Sequence, residues 1–358
     1  MFWDAFLPKK RQLIGLDIGS QFIKLVEFED GKKGSQTLRS LGVAQLPPEA
    51  INEGNIQDPA AVAETIKRLL DNCQPATRSV ATSISGYSVI VRTISMAKTT
   101  QELLEESIHW EAEQYIPFDI NDVNIDFQVL GDSEANPDQM DVMLVAAKKD
   151  TIDTFGNLLR SAGLNPAVIE VDSFAMGNAY ELNYGNGDSE GCTALIDIGA
   201  EKMNINILRR GTPALTRDAS FGGRQITERI QRDQVLTFEQ AEALKLSGGA
   251  DPEAAKAVEA ACQPVLSAWA AEIGRSIELF SATYPSDRIE RIVLSGGSSR
   301  VSGLVELLSS QTGVAVEMFN PFARVEHDEK TFDRAYLDYV GPQFAISTGL
   351  ALRKVGDR

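Results

Sequence analysis

The sequence predicts an α/β protein made of two lobes of like design, and three observations predict it. Residues 13–26 read Leu-Ile-Gly-Leu-Asp-Ile-Gly-Ser-Gln-Phe-Ile-Lys-Leu-Val: an apolar strand, a tight turn with one carboxylate, one glycine and one hydroxyl, and an apolar strand returning. The arrangement repeats just past the middle of the chain, where residues 194–208 read Ala-Leu-Ile-Asp-Ile-Gly-Ala-Glu-Lys-Met-Asn-Ile-Asn-Ile-Leu. The 358 residues leave room for two cores, and the turn-rich stretch 183–191, Asn-Tyr-Gly-Asn-Gly-Asp-Ser-Glu-Gly, reads as the connector between them. The expected division is a first lobe over 1–190, interrupted by an inserted subdomain at about 88–164, and a second lobe over 191–358 with a helical part at about 224–288.

Each segment follows from local chemistry. In the first turn Gly19 lets backbone approach an anion without a Cβ in the way, Ser20 supplies a hydroxyl donor, and Asp17 is placed to hold a hydrated cation. A plain β-hairpin is the alternative for that turn taken alone. Asp58-Pro59 opens a helix over 60–73 with Val62, Ile66, Leu69 and Leu70 on one face, and 79–84 alternates as a buried strand. Within the insertion, 88–95 reads as a strand. Thr99-Thr100-Gln101-Glu102 reads as a capping box for a helix carrying Leu103, Leu104, Ile108, Ala112 and Tyr115, stopped by Pro117. Strands at 123–130 and 142–147, a polar turn at 131–138 and a helix at 150–162 ended by Gly163 complete a β-α-β-β-α unit. A strand then feeds a small-residue helix at 168–180. In the second half, Phe221-Gly222-Gly223 precedes a helix at 224–232, whose N-terminal amides favour an anion. Glu242 and Lys245 share a helical face, as site residues or as a salt-bridged surface pair. A long amphipathic helix spans 269–284. The run Arg-Ile-Val-Leu-Ser-Gly-Gly-Ser-Ser-Arg at 291–300 gives a strand, a Gly-Gly corner and a helix, and the small residues of 341–352 form a last helix.

Composition narrows the function. With 34 Lys plus Arg against 51 Asp plus Glu the net charge is −17, which argues against a nucleic-acid binder. Cys73, Cys192 and Cys262 form no C-x-x-C pair, and His109 and His327 are the only histidines, so neither a zinc cluster nor a disulfide framework is expected and a reducing, cytoplasmic setting is. No stretch has the length of a membrane span. Phe2, Trp3, Phe6 and Leu7 ahead of Lys9, Lys10 and Arg11 read either as a membrane or partner tag or as a frayed end.

Two acidic hairpins, a small-residue helix after Asp172, the Gly-Gly corner at 296–297 and the closing small-residue helix stand in the order of the actin, sugar-kinase and heat-shock-chaperone superfamily. The chain resembles that superfamily over nearly its whole length. The resemblance implies two duplicated ribonuclease-H-like lobes that hold ATP and magnesium in the cleft between them. By that resemblance Asp17 and Asp197 bind the ion through waters. The phosphates are met by Gly19, Ser20, Gln21 and Lys24 of the first turn, by Gly199, Ala200 and Glu201 of the second, and by Gly222 and Gly223. Glu242 and Lys245 contact ribose and adenine, and Gly296, Gly297, Ser298 and Arg300 take the adenosine. Asp172 falls at the acidic position that orients the attacking water. There an aspartate replaces the usual glutamate and Ser173 the usual proline, so at most weak hydrolysis is expected.

The insertion's type and position resemble those of the division protein FtsA and of PilM, the actin-like component of type IV pilus assembly. The opening Leu-Ile-Gly-Leu-Asp-Ile-Gly-Ser and the chain's end soon after the closing helix favour the PilM family. That family implies a cytoplasmic adaptor, peripheral to the inner membrane, whose partner is the cytoplasmic N-terminal tail of PilN, held as an extended peptide between the inserted unit and the first lobe. Ile108, Trp110 and Tyr115 are candidate walls or core residues. A small-molecule kinase of the same superfamily and an FtsA-like, self-associating filament former are the alternatives.

Overall fold

The computed structural model describes residues 12–31, 34–134, 136–185, 191–249 and 251–357. The aromatic start with Phe2, Trp3, Phe6 and Leu7, and connector residues 186–190, lie outside the described residues.

The chain opens with the expected hairpin, β1 (Ile14–Ile18) against β2 (Phe22–Asp30), and β3 (Gln36–Gln45) continues it antiparallel. A short hairpin, β4 (Ile51–Asn52) and β5 (Asn55–Ile56), then precedes α1 (Pro59–Cys73) and β6 (Ser79–Ile84). Asp58 caps α1 by accepting from the Ala61 amide, and Pro59 takes the first helical position, where its missing N–H costs nothing. The inserted unit follows: β7 (Val89–Ala97), α2 (Gln101–Ala112), β8 (Val123–Asp132), β9 (Gln139–Lys148) and α3 (Lys149–Ser161), with its three strands in the antiparallel order β7-β9-β8. Two details of α2 depart from expectation. Its cap is Thr100, which accepts from the Leu103 amide, so Glu102 does not close a capping box. It also stops at Ala112, where the Tyr115 and Ile116 amides both turn back to the Ala112 carbonyl.

The first lobe closes with β10 (Asn165–Val171) and α4 (Asp172–Tyr184). The second repeats its plan: β11 (Cys192–Ile198), β12 (Met203–Arg209), β13 (Thr212–Ala219), α5 (Arg224–Gln234), α6 (Phe238–Ser247), α7 (Pro252–Thr283), β14 (Ile289–Ser295), α8 (Leu304–Thr312), β15 (Ala315–Met318), α9 (Arg334–Val340) and α10 (Ala345–Ala351). The sheet orders β3-β2-β1-β6-β10 and β13-β12-β11-β14-β15 are counterparts, each an antiparallel meander with two parallel strands added. Helix α7 begins at Pro252 rather than near Trp269: Asp251 caps it, and Pro264 lies inside it.

Three packing facts position the site. Helices α4 and α10 lie between the two sheets, where Ala175, Met176, Ala179, Ala345, Ile346 and Leu350 share one core with Leu195 and Val293. Although α3 ends the inserted unit, Leu158, Leu159 and Ala162 bury into the first lobe's core with Ile14, Leu16 and Ile66. The β8–β9 loop of the unit reaches the second lobe. There Arg209 donates two parallel hydrogen bonds to Glu134, at 3.0 and 2.9 Å, and a third at 2.7 Å to Asp287. That fork holds the Glu134 carboxyl below the usual carboxylate range.

Candidate functional site

The two Asp-Ile-Gly turns face one another across the interlobe cleft. Within the first hairpin Asp17 is directly opposite Lys24, and within the second Asp197 is directly opposite Asn204. That shared register puts one carboxylate from each sheet at the same height. Lys24 is not a solvated strand residue: its ammonium bonds Asp17 at 2.7 Å, and both side chains are largely covered. Asp197 accepts from Ser295 Oγ at 2.7 Å, a serine fully buried on the neighbouring parallel strand. Asp172, the first residue of α4, accepts from Asn204 Nδ2 at 3.3 Å and completes a group of three carboxylates facing one ammonium.

Burial, resisted by the Ser295 hydrogen bond and Lys24, pushes the Asp197 carboxyl up to about 6. Burial raises Asp17 as well, against the pull of Lys24 and with help from the charge of Asp172. For Lys24, burial alone would lower the ammonium, but Asp17, Asp197 and Asp172 together hold it above its ordinary value. Such a pocket carries excess negative charge that it cannot solvate, and a divalent cation relieves it. Among the described residues no three His, Cys, Asp or Glu side chains are grouped closely enough to ligate one ion directly. Asp17 and Asp197, one carboxylate from each turn, are the side chains that could hold a hydrated cation in the cleft.

A pH dependence follows. The folded-state pKa of Asp197 lies above its unfolded value, so the stability it contributes is fully present below about 3.8 and is lost as pH rises through about 6. A bound cation needs the ionised form. The affinity of the cleft for any divalent cation is thus expected to fall as pH drops below about 6, and the fall to be shallower in Asp197→Asn; calorimetric titrations across that range check both.

The cleft holds about 990 Å³, and the residues expected at the site converge on it. Asp17, Gly19, Ser20, Gln21, Lys24, Asp172, Asp197, Gly199, Ala200, Glu201, Gly223, Glu242, Lys245, Gly297, Ser298 and Arg300 all line it. Gly222 and Gly296 do not. A Cβ on Gly222 would overlap the Ala200 carbonyl and one on Gly296 the Ile198 carbonyl, so these two glycines let backbone segments pack against each other. The start of α5 also differs from expectation. The Gly223 amide donates to the Gly199 carbonyl at 3.0 Å and the Arg224 amide to Ala200 at 2.8 Å, so those donors brace the second turn instead of standing free for a phosphate.

Glu242 and Lys245 form a half-buried pair at 2.7 Å rather than a solvated one. Glu242 also accepts from Gln21 of the first turn at 3.2 Å, a contact across the cleft. Burial opposes ionisation of Glu242, but Lys245 and the bonds from Thr227 and Gln21 hold its carboxyl below the ordinary value. Arg300 lies 3.5 Å from the centre of the Tyr339 ring and donates to the Tyr339 carbonyl. Sequence reasoning missed Ser295, Tyr339 and Lys202. Ser295 was legible in principle, as the last strand residue before the Gly-Gly corner. Of the candidate walls of a peptide groove, Ile108 is core, whereas Trp110 is 75% and Tyr115 42% exposed.

The family model of the type IV pilus assembly protein PilM matches residues 15–355. The chain belongs to the PilM family. A chain of a solved PilM–PilN type IV pilus biogenesis complex is 34% identical, with a TM-score of 0.86 over 97% of this chain and 100% of that one. FtsA of Enterococcus hirae is 25% identical over 88% of this chain and 79% of its own length. FtsA of Bacillus subtilis is 24% identical, and the match spans only 57% of that protein. At the level of fold alone, MreB5 of Spiroplasma citri, solved bound to ADP, matches with a TM-score of 0.54 at 11% identity over 96% of this chain and 95% of that one. The two-lobed actin-like fold and the FtsA-like relationship expected of a PilM family member are therefore present, and a part in type IV pilus assembly comes with the family. No described helix is long and apolar enough to cross a membrane.

Proposed function

We propose that this PilM family member is a cytoplasmic adaptor that holds ATP and magnesium between its lobes and binds the N-terminal tail of PilN at the inner membrane. The observation that carries the nucleotide half is the pair of opposed turns: a buried and a half-buried carboxylate, both with pKa values raised by burial, one ammonium and a cleft of about 990 Å³. That volume lies at the upper end of the range for small-molecule sites. The buried Ser83 hydroxyl on the cleft wall has no hydrogen-bond partner, which suits a site completed by a polar ligand. Magnesium supplies charge neutralisation of the phosphates. Asp17 and Asp197 would hold the ion, Lys24 and the first turn would meet the phosphate oxygens, and Gly297, Ser298 and Arg300 would bound the base end.

By the family resemblance, Asp172 would be the carboxylate that orients a water at the terminal phosphate. Tied to Asn204 and short by a methylene, it supports slow turnover at most, which suits a protein whose bound nucleotide sets a shape. The division into a first lobe over 1–190 with its insertion at about 88–164 and a second lobe over 191–358 belongs to the same reading. The insertion serves as the partner-binding part, because β7 and β8 are the two edges of its sheet and edges accept an extended peptide. The 34% identical chain comes from a PilM–PilN complex, which supports that partner. Fluorescence anisotropy with a labelled peptide of the cognate PilN tail is expected to show saturable binding that a Trp110→Ala substitution leaves detectable. Absence of binding both with and without magnesium-ATP would remove the adaptor half of the proposal.

A further inference from the structure

The second turn carries a side chain that nucleotide binding alone leaves without a role. Lys202 is fixed to the turn by its backbone, since the Gly199 amide donates to the Lys202 carbonyl at 2.8 Å. Its side chain crosses the cleft into the first lobe, where the ammonium donates to the Ser85 carbonyl at 3.3 Å and to Ser85 Oγ at 3.4 Å. Two glycines keep the passage open. A Cβ on Gly54, in the β4–β5 turn, would overlap the ammonium, and one on Gly86 would come within 3.1 Å of it; their φ angles are +79° and +83°. On either side the second lobe grips again. Glu201 accepts from the Glu53 amide at 2.8 Å, and Asp218 of β13 accepts from the Gly86 amide. Ser85 and Gly86 lie between β6 and β7, where the chain leaves the first-lobe sheet for the inserted unit. The second lobe therefore holds that joint with one lysine and one aspartate.

We propose that Lys202 is a strut that couples a terminal phosphate in the cleft to the joint of the inserted unit. In the structure its ammonium hydrogen-bonds two uncharged oxygens, with the Asp218 carboxylate within electrostatic reach, and neither oxygen holds it as strongly as a phosphate oxyanion would. Lys202 lines the same cleft as Asp17 and Asp197. A nucleoside triphosphate reaching the second turn draws the ammonium away from Ser85; a diphosphate, lacking the outermost oxyanions, leaves it there. Withdrawal removes one of the two side-chain holds on Ser85–Gly86 and leaves Asp218 as the other. The joint then loosens while α3 and the Arg209–Glu134 fork still hold the rest of the unit, so the identity of the bound nucleotide reaches the start of β7, an edge of the part that meets a partner. This regulation rests on the nucleotide reading above.

Hydrogen exchange of the full chain, followed in peptides covering residues 83–95, tests it. Three states are compared: no nucleotide, saturating magnesium-ADP and a saturating non-hydrolysable ATP analogue, with occupancy measured separately by displacement of a fluorescent nucleotide. In the parent, the ATP analogue is expected to speed exchange in this segment several-fold and ADP to leave it unchanged. In Lys202→Met, exchange is expected to be fast in all three states even where occupancy is restored by higher nucleotide concentration. Asp218→Asn, outside the cleft lining, is expected to speed exchange throughout while keeping the step between ADP and the ATP analogue. A parent that binds the analogue with no change in exchange, or a Lys202→Met variant that responds as the parent does, would overturn the strut. A parent that binds no nucleotide would instead overturn the nucleotide reading itself, a result that the occupancy measurement identifies.

Discussion

Asp17→Ala and Asp197→Ala are each expected to cut magnesium-ATP affinity by about ten- to a hundredfold while leaving the fold intact. The magnitude comes from losing one charge-assisted contact, worth about 1.5–3 kcal/mol, at about 1.4 kcal/mol per factor of ten. The two variants should differ in their side effects. Removing Asp17 strips Lys24 of its partner at 2.7 Å and leaves a buried ammonium facing two carboxylates, so some stability should be lost in the apo protein. Removing Asp197 deletes a carboxyl that burial already disfavours and frees only the Ser295 hydroxyl, so its cost to the apo fold should be small or absent. Competition with a fluorescent nucleotide, paired with urea denaturation, reads both effects. Full-strength binding by both folded variants would contradict the site.

Gly349→Ala is expected to cost about 3 kcal/mol of stability, toward or beyond the top of the range for overpacking. A Cβ there would overlap the Ala175 carbonyl where α10 crosses α4, and backbone has no rotamer by which to move aside. Gly15 shows the same closeness one layer over, against Ser347 and Ala351, so α10 is wedged between β1 and α4 and cannot shift to make room. Gly274 is the control. It lies inside α7 with nothing near its absent Cβ, so Gly274→Ala should gain about 0.5–1 kcal/mol from helix propensity. Urea midpoints for the pair check the contrast. Equal midpoints for Gly349→Ala and the parent would mean that α4 and α10 are not held as closely as the structure has them.

What the sequence made legible was local and repeated. Alternating apolar residues around Asp-Ile-Gly announce a hairpin twice over, and because register is set by the turn, the matching places of Asp17 opposite Lys24 and Asp197 opposite Asn204 are implicit in the motif. The Gly-Gly corner after an apolar strand was equally plain. Contacts made by long side chains over large sequence separations were not: the reach of Lys202 to Ser85 and of Arg209 to Glu134 follows from how the lobes sit together, which no window of residues encodes. Glycine misled in one respect. By the resemblance Gly222 meets phosphate and Gly296 the adenosine, yet a glycine that admits a ligand and one that admits another backbone segment look the same in sequence. Helix α7 escaped over its first half because an alanine-rich run with an internal proline shows little of the apolar stripe by which helices are recognised.

The most direct test is anomalous scattering from a crystal grown with manganese and a non-hydrolysable ATP analogue. One manganese peak is expected between the Asp17 and Asp197 carboxylates, bridged to them by waters and touching the triphosphate, with the base lying toward Gly297 and Arg300. A nucleotide bound elsewhere, or a metal peak away from both turns, would contradict it.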